Sequence, residues 1–282
     1  MSEGRYIAEV RRKFVNLASR PNTRFSDIQE EFLTVLYKLD EYRKEGAIPE
    51  GEYRQKGNAF RDLILALIKS RVGFKLRDMR VEGFTDEHDL DLGFYLNGVL
   101  YVGGQVKMIG SPPHSLRGER KPERPTRADI DKRMKEVKYT PLDLKLKYSG
   151  TDLKKWTTWR DWIANSIPRF FSFWACRIGA EDDLDLIASK FVRLTEYNNG
   201  VGVILYREEK GRYTAIEKPE LKPLTIDNTI DQIGRFLLES VGRPSETEHP
   251  HRAKRPIAEN TEKRWASARA QTNAPVSWPL SN

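Results

Sequence analysis

The chain has 282 residues, of which 38% are hydrophobic and 32% charged, and its formal net charge is +8. These values are typical of a soluble globular protein with one large domain or two small ones. The positive excess favours a polyanionic partner, with nucleic acid as the first candidate. A single cysteine, Cys176, excludes an internal disulfide framework and a cysteine-rich zinc site.

The N-terminal part of the chain is predicted to be helical. Apolar residues recur at helical spacing through residues 1–55, as in Ile7, Val10, Phe14 and Leu17. A further helix begins near Lys56 and is predicted to end at Gly73, because glycine is a common residue after the C-terminus of a helix.

Strand-like segments follow at residues 74–81, 90–96 and 99–108, where apolar and β-branched residues alternate with polar ones. Residues 110–127 are polar, basic and rich in proline, so we expect a surface loop there. The apolar run RFFSFWACRI, residues 169–178, predicts a buried strand.

The remaining segments complete an alternation of helices and strands. Helices are predicted at residues 128–137, 152–165, 182–197 and 229–241, and strands at residues 201–206 and 212–217. This order predicts an α/β fold, with a mixed central β-sheet flanked by helices. We expect a helical N-terminal region at 1–55, an α/β core at 56–241 and a disordered basic tail at 242–282.

The predicted helix at residues 152–165 is rich in tryptophan. Trp156, Trp159 and Ile163 recur on one face, which core packing explains better than base stacking, whereas Trp162 lies to the side. Its basic residues on the other faces would meet phosphate groups or water: Lys154, Lys155 and Arg160.

Polar residues mark the ends of two neighbouring strands that are otherwise apolar. Side chains alternate along a strand, so Gln105 and Lys107 share one face, and Asp89 and Asp91 share one face of the preceding strand. A two-residue turn at Asn97-Gly98 would put the two pairs on opposite faces. We therefore expect a three-residue loop that starts at Leu96, which brings the pairs together.

Once together, these groups would suit phosphodiester chemistry. A carboxylate and a neighbouring oxygen ligand can hold a hard divalent cation, with Mg²⁺ the first candidate. The cation would polarise a phosphodiester and lower the pKa of a bound water. Lys107 would orient that water or stabilise the charge that develops in the transition state. Gly103 and Gly104 would let a phosphate backbone approach closely.

Asp91 at the head of one strand and the triplet Gln105-Val106-Lys107 at the end of the next resemble the PD-(D/E)xK nuclease superfamily, which includes many type II restriction endonucleases. The resemblance covers roughly residues 56–178 and implies an αβββαβ core. It assigns Asp91, Gln105 and Lys107 as catalytic residues, with Asp91 and Gln105 as ligands of Mg²⁺.

Gln105 departs from the family pattern, which has an acidic residue at this position. An amide oxygen can bind a cation but brings no charge, so we expect weaker metal binding. Three residues are candidates for the missing carboxylate: Asp89, Glu82 and Asp62. Asp62 lies in the helix before the strands, where the family often carries a further acid.

The basic loop is a candidate contact for the DNA backbone. Five of its residues are predicted to bind DNA: Arg117, Arg120, Lys121, Arg124 and His114. Such a loop would become ordered on binding. An idle flexible loop is the alternative.

The leading hypothesis is a magnesium-dependent endonuclease that cuts double-stranded DNA, most simply a type II restriction enzyme. A palindromic target would require a homodimer, for which the helical N-terminal region could supply the interface. Without a signal peptide or a long apolar run, we expect no membrane association and a cytoplasmic location in a prokaryotic cell. The alternatives are a catalytically silent DNA-binding module, a repair or transposon-end nuclease, and a protein-interaction scaffold.

Overall fold

A computed structural model describes residues 4–116, 119–149 and 156–242. The described residues form eight α-helices: α1 (Arg5–Leu17), α2 (Phe25–Lys44), α3 (Glu50–Tyr53), α4 (Lys56–Val72), α5 (Thr126–Ser149), α6 (Trp159–Asn165), α7 (Leu184–Leu194) and α8 (Ile226–Val241). They also form eight strands: β1 (Arg77–Glu82), β2 (Glu87–Leu96), β3 (Val99–Ile109), β4 (His114–Leu116), β5 (Glu119–Lys121), β6 (Arg169–Arg177), β7 (Gly200–Glu209) and β8 (Arg212–Ile216).

Within these residues, six of the strands form one mixed sheet in the order β1-β2-β3-β6-β7-β8. β1, β2 and β3 are antiparallel, β3, β6 and β7 are parallel, and β8 is antiparallel to β7. The predicted mixed α/β fold, with a central sheet flanked by helices, is therefore confirmed at this level.

Helices cover both faces of the sheet, which is why its central strands are apolar on both sides. The first face packs against α1, α2, α4 and α8, with Phe60, Phe171 and Ile230 in the core. The second face packs against α5 and α7, with Val137, Phe170 and Trp174 in the core. The predicted strand at 169–178 is β6, and it is buried along nearly its whole length.

The N-terminal helices pack against the same core as the first face of the sheet. Helix α4 ends as predicted: Gly73 has a φ of 78°, and its N–H donates to the carbonyl of Lys69. The division of the chain at residue 55 stays a prediction. So does the disordered tail, because residues 243–282 lie outside the described part of the chain.

Helix α5 extends twelve residues beyond the predicted end at Val137 and contains Pro141. A proline inside a helix has no N–H to donate to the carbonyl four residues earlier, here that of Val137. The side-chain amide of Asn198 donates to this carbonyl at 3.4 Å. A partner distant in sequence therefore supports the helix where the sequence predicted it to end.

The predicted loop at 110–127 contains a short antiparallel hairpin, β4–β5, so the prediction of a plain loop is wrong. Backbone hydrogen bonds between Ser111 and Arg124 close its base. The ammonium of buried Lys56 donates to the carbonyl of Gly110, and Arg177 pairs with Glu123. These buried contacts hold both ends of the segment on the protein.

No helix in the described ranges is long and apolar enough to cross a lipid bilayer.

Candidate functional site

The hairpin between β2 and β3 has a two-residue turn, so the predicted three-residue loop is wrong. Leu96 pairs with Val99, and the turn residues Asn97 and Gly98 both have positive φ, at 50° and 81°. This is the backbone shape that Asn-Gly favours, because it matches the twist of the two strands.

A β-bulge restores the register that the site requires. Tyr95 pairs with Leu100, but Phe94 pairs with Val102, so one residue of β3 is left over between them. Beyond the bulge Leu92 pairs with Gly104, and the next position along places Asp91 opposite Gln105. The predicted convergence is thus reached for Asp91, Gln105 and Lys107, through a β-bulge and not through a three-residue loop.

A second irregularity, in the pairing of β1 with β2, separates the two aspartates that were predicted to share a face. Leu90 lies in the core of the second face and Leu92 in that of the first, although they are two residues apart. The register of β1 against β2 shifts at this point. As a result Asp91 is half-buried, whereas the side chain of Asp89 is 89% exposed.

The second face of β3 presents Gln105 and Lys107, while Val106 between them packs in the core of the first face. A carboxylate oxygen of Asp91 accepts a hydrogen bond of 2.9 Å from the backbone N–H of Val106, which fixes the acid next to the triplet. Gln105 is only 7% exposed, and its Oε1 has no hydrogen-bond partner among the described residues. A buried acceptor without a protein partner is unusual, so this oxygen is free to accept from a water or to bind a cation.

Helix α5 adds an acid that the sequence analysis missed. The Oε2 atom of Glu136 lies 3.6 Å from the Nζ atom of Lys107, and Arg133 holds the same carboxylate at 3.1 Å. Burial lowers the pKa of Lys107 below its ordinary value, and the charges of Asp91 and Glu136 offset part of that effect. Both carboxylates therefore act on the same ammonium group.

The site contains the kinds of oxygen donor that a hard divalent cation prefers. Asp91 and Glu136 offer carboxylates, and Gln105 offers an amide oxygen that has no partner in the described chain. No group of three or more His, Cys, Asp or Glu side chains suited to a metal occurs within the described ranges. The site therefore has two acids, and the amide oxygen of Gln105 is its third candidate ligand.

The other candidates for the missing carboxylate lie elsewhere. Glu82 is exposed and pairs with Lys147 at 3.3 Å, and Asp89 lies on the solvent side near Arg80. Asp62 lies on α4, the helix that packs on the first face, and pairs with Arg11 of α1 and with Arg61. Among the described residues, Lys107 pairs with Glu136 and with none of these three acids.

The predicted DNA-binding residues occupy the β4–β5 hairpin and the segment after it. Arg120 is exposed, Lys121 pairs with Glu119 at 2.6 Å, and Arg124 pairs with Asp129 at the start of α5. The His114 side chain is 12% exposed and faces Glu50 at 3.8 Å, so it packs inward. Arg117 lies outside the described residues.

The tryptophan cluster differs from the prediction. Helix α6 begins only at Trp159, and the core residues are Trp162 and Ile163, whereas Trp159 is 47% exposed. The assignment of Trp159 to the core is therefore wrong. Lys154 and Lys155 lie outside the described residues.

We expect Gln105→Glu to strengthen magnesium binding by about tenfold or more, because a carboxylate adds a full charge to the ligand set. Isothermal titration of the full chain with Mg²⁺ would measure this, and Glu82→Gln should leave the affinity unchanged. Gln105→Met keeps the length of the side chain, lacks the oxygen and should weaken binding. Equal magnesium affinity in all four proteins would remove Gln105 from the metal site.

No family model, no curated protein and no solved structure matches this chain.

Proposed function

We propose that the chain is a magnesium-dependent endonuclease for double-stranded DNA, with its catalytic site at Asp91, Gln105, Lys107 and Glu136. One observation carries the proposal: the unpartnered amide oxygen of Gln105 lies on the strand face that also holds Lys107, and the carboxylates of Asp91 on β2 and Glu136 on α5 both act on the Lys107 ammonium. Such an array suits a cation and a phosphate group together.

The order of elements supports the resemblance to PD-(D/E)xK nucleases. A helix, three antiparallel strands, a helix and a strand parallel to the third strand follow one another in the elements α4, β1–β3, α5 and β6. This agrees with the αβββαβ core that the resemblance implies. The net charge of +8 favours a DNA partner.

Each residue of the site has a distinct role in this proposal. Asp91, Gln105 and Glu136 would hold Mg²⁺, which supplies a Lewis acid and a bound water of lowered pKa. The ammonium of Lys107 would stabilise the negative charge that develops on the phosphate. Glu136 also orients Lys107, since the two groups lie 3.6 Å apart.

The test is a plasmid cleavage assay with the purified full chain, in Mg²⁺ and in EDTA. We expect nicked or linear plasmid only with Mg²⁺, and none with Asp91→Ala. The matched control is Asp89→Ala, which removes an exposed acid two positions away and should cut normally. Undiminished cutting by Asp91→Ala would refute the proposed site.

Within this proposal, a type II restriction enzyme acting as a cytoplasmic homodimer is the simplest biological role, because two-fold symmetry matches a palindromic target. Repair and transposon-end nucleases would use the same site chemistry. Cleavage confined to one short sequence would favour restriction, and cleavage at branched or nicked DNA would favour repair.

A catalytically silent DNA-binding module is the second candidate. The neutral side chain of Gln105 and its 7% exposure beneath α5 favour it. This candidate predicts salt-sensitive DNA binding without cutting, and Gln105→Glu would then create activity.

A further inference from the structure

A cavity of about 390 Å³ lies at the amino end of β6, between α6 and the segment that connects α7 to β7. Its polar lining includes Arg160, Arg169, Glu196, Asn198 and Asn199. We call it the α6 cavity. It is lined by none of the residues of the site proposed for cleavage.

Two buried polar groups in the lining lack partners within the described chain. Asn198 is 3% exposed, and its Nδ2 donates to the carbonyls of Val137 and Leu194, but its Oδ1 accepts no hydrogen bond. The Nε–H of Arg169 is likewise buried without an acceptor. Both residues line the same cavity, so a ligand bound there would lie near one buried acceptor and one buried donor that have no partner in the described chain.

The charges around the cavity favour an anion. Arg160 and Arg169 line it, and Glu196 is the acid in the lining. The guanidinium of Arg169 stacks on the ring of Phe236 at 4.5 Å, and Glu239 acts on it electrostatically. An arginine that stacks on an aromatic ring and keeps a free N–H is well placed for a phosphate oxygen.

A buried lysine, Lys145, is hydrogen-bonded to two residues that line the cavity, Ile163 and Asn199. The Lys145 ammonium donates to the carbonyls of Ile163, Ser166 and Pro168 and to the Oδ1 atom of Asn199. Burial, together with a smaller contribution from repulsion by Arg169, lowers the pKa of Lys145 to about 7. An anion in the cavity would relieve that repulsion.

Aromatic rings adjoin the lining. Trp159 immediately precedes Arg160 and is 47% exposed. The centroid of its ring lies 5.0 Å from that of Trp162 and 6.5 Å from that of Tyr197. The Nζ atom of Lys138 lies 4.9 Å from the ring of Tyr197. Exposed aromatic rings beside cationic groups are the combination that binds single-stranded nucleic acid.

We propose that the α6 cavity binds one nucleotide unit of a single nucleic-acid strand. The phosphate lies against Arg160 and Arg169, the base stacks on Trp159, and a hydroxyl or amino group of the nucleotide donates to the Oδ1 atom of Asn198. A paired duplex hides the faces of its bases, so the site selects an unpaired strand. The proposal does not depend on cleavage and applies to both candidate functions.

The test is fluorescence anisotropy of a labelled oligodeoxythymidylate of about 12 nucleotides, a length that covers a typical single-strand site, with the full chain in EDTA. Trp159→Ala should weaken binding about 5- to 100-fold, the usual effect of losing one stacked base. Arg160→Gln should weaken binding and reduce its salt dependence. Arg193→Gln removes an exposed arginine of α7 outside the lining and should weaken binding less than Arg160→Gln does.

Competitors identify the ligand. Unlabelled single strand should displace the probe best, deoxythymidine monophosphate less well, and inorganic phosphate least. Equal competition by a duplex of the same length would overturn the proposal, as would unchanged affinity in both Trp159→Ala and Arg160→Gln. EDTA prevents metal-dependent cutting of the probe, so the assay measures binding alone. If Asp91→Ala abolished cleavage but still bound the probe, the proposed nucleotide site would be independent of the cleavage site.

Discussion

Replacing Lys107 by methionine is expected to reduce magnesium-dependent plasmid cleavage about 10²- to 10³-fold, the usual cost of removing one group that stabilises transition-state charge. Methionine preserves most of the apolar stem but removes the ammonium that lies 3.6 Å from Glu136. Because Lys107 is largely buried, its charge acts on a nearby phosphate more strongly than it would in water. A water molecule in the place of the ammonium would therefore not restore the lost stabilisation. Single-turnover cleavage rates would measure the loss.

Lys147→Met is the matched control, because Lys147 lies on α5 and pairs with the exposed Glu82. This variant should cut at the rate of the unchanged protein. Lys107→Arg keeps the charge but not the compact shape, and it should recover only part of the rate. If Lys107→Met cut as fast as Lys147→Met, Lys107 would have no catalytic role.

Replacing Asp143 by alanine is expected to lower the free energy of unfolding by about 1–3 kcal/mol, the usual cost of leaving a buried donor without its acceptor. The Asp143 carboxylate is 2% exposed. It accepts from the backbone N–H and hydroxyl of Thr85, from the N–H of Asp86 and from the Nε2 atom of His88. Alanine would leave the buried His88 without its acceptor, would remove the acceptor of the exposed Thr85 and Asp86, and would free the β1–β2 turn from α5.

The contribution of Asp143 should depend on pH. Burial raises the pKa of Asp143, but hydrogen bonds from Thr85 and His88 outweigh this, so the folded-state pKa lies below the ordinary value. The stabilisation is therefore complete above about pH 4, near the unfolded pKa, and is lost as pH falls through the folded pKa. Urea unfolding across this range would show the difference between the two proteins shrinking in acid.

Asp143→Asn is the informative control, because one amide oxygen can still accept part of these hydrogen bonds. We expect its unfolding free energy to fall between that of the unchanged protein and that of Asp143→Ala. Equal stability of all three at neutral pH would mean that the turn is held by other contacts.

Much of the fold follows from local patterns. The apolar run of β6 and the glycine after α4 each determine a local structure, so these elements were predicted close to where they lie. Asn97-Gly98 indicated the hairpin, but the length of its turn was predicted wrongly. The alternation along β3 also predicted that Gln105 and Lys107 share a face.

Other features depend on partners distant in sequence. Helix α5 continues through Pro141 with a hydrogen bond from Asn198, which is 57 positions further along the chain. Glu136 precedes Val137, a core residue of α5, so helical phase could have placed it beside the buried stripe. Which strand this buried stripe covers depends on tertiary packing. The contact between Glu136 and Lys107 therefore could not be predicted from the spacing of residues in the sequence.

The bulge between Phe94 and Tyr95 makes this site depend on how many residues β3 carries between the turn and Gln105. Tyr101 is the residue of β3 that is left over there, so deleting it would remove the bulge and keep Asp91 opposite Gln105. Deleting a second residue would leave β3 one position short, and with the same two-residue turn Asp91 would lie opposite Val106, on the other face of the sheet from Gln105 and Lys107. The hairpin should therefore tolerate the loss of one residue between the turn and Val102 but not the loss of two.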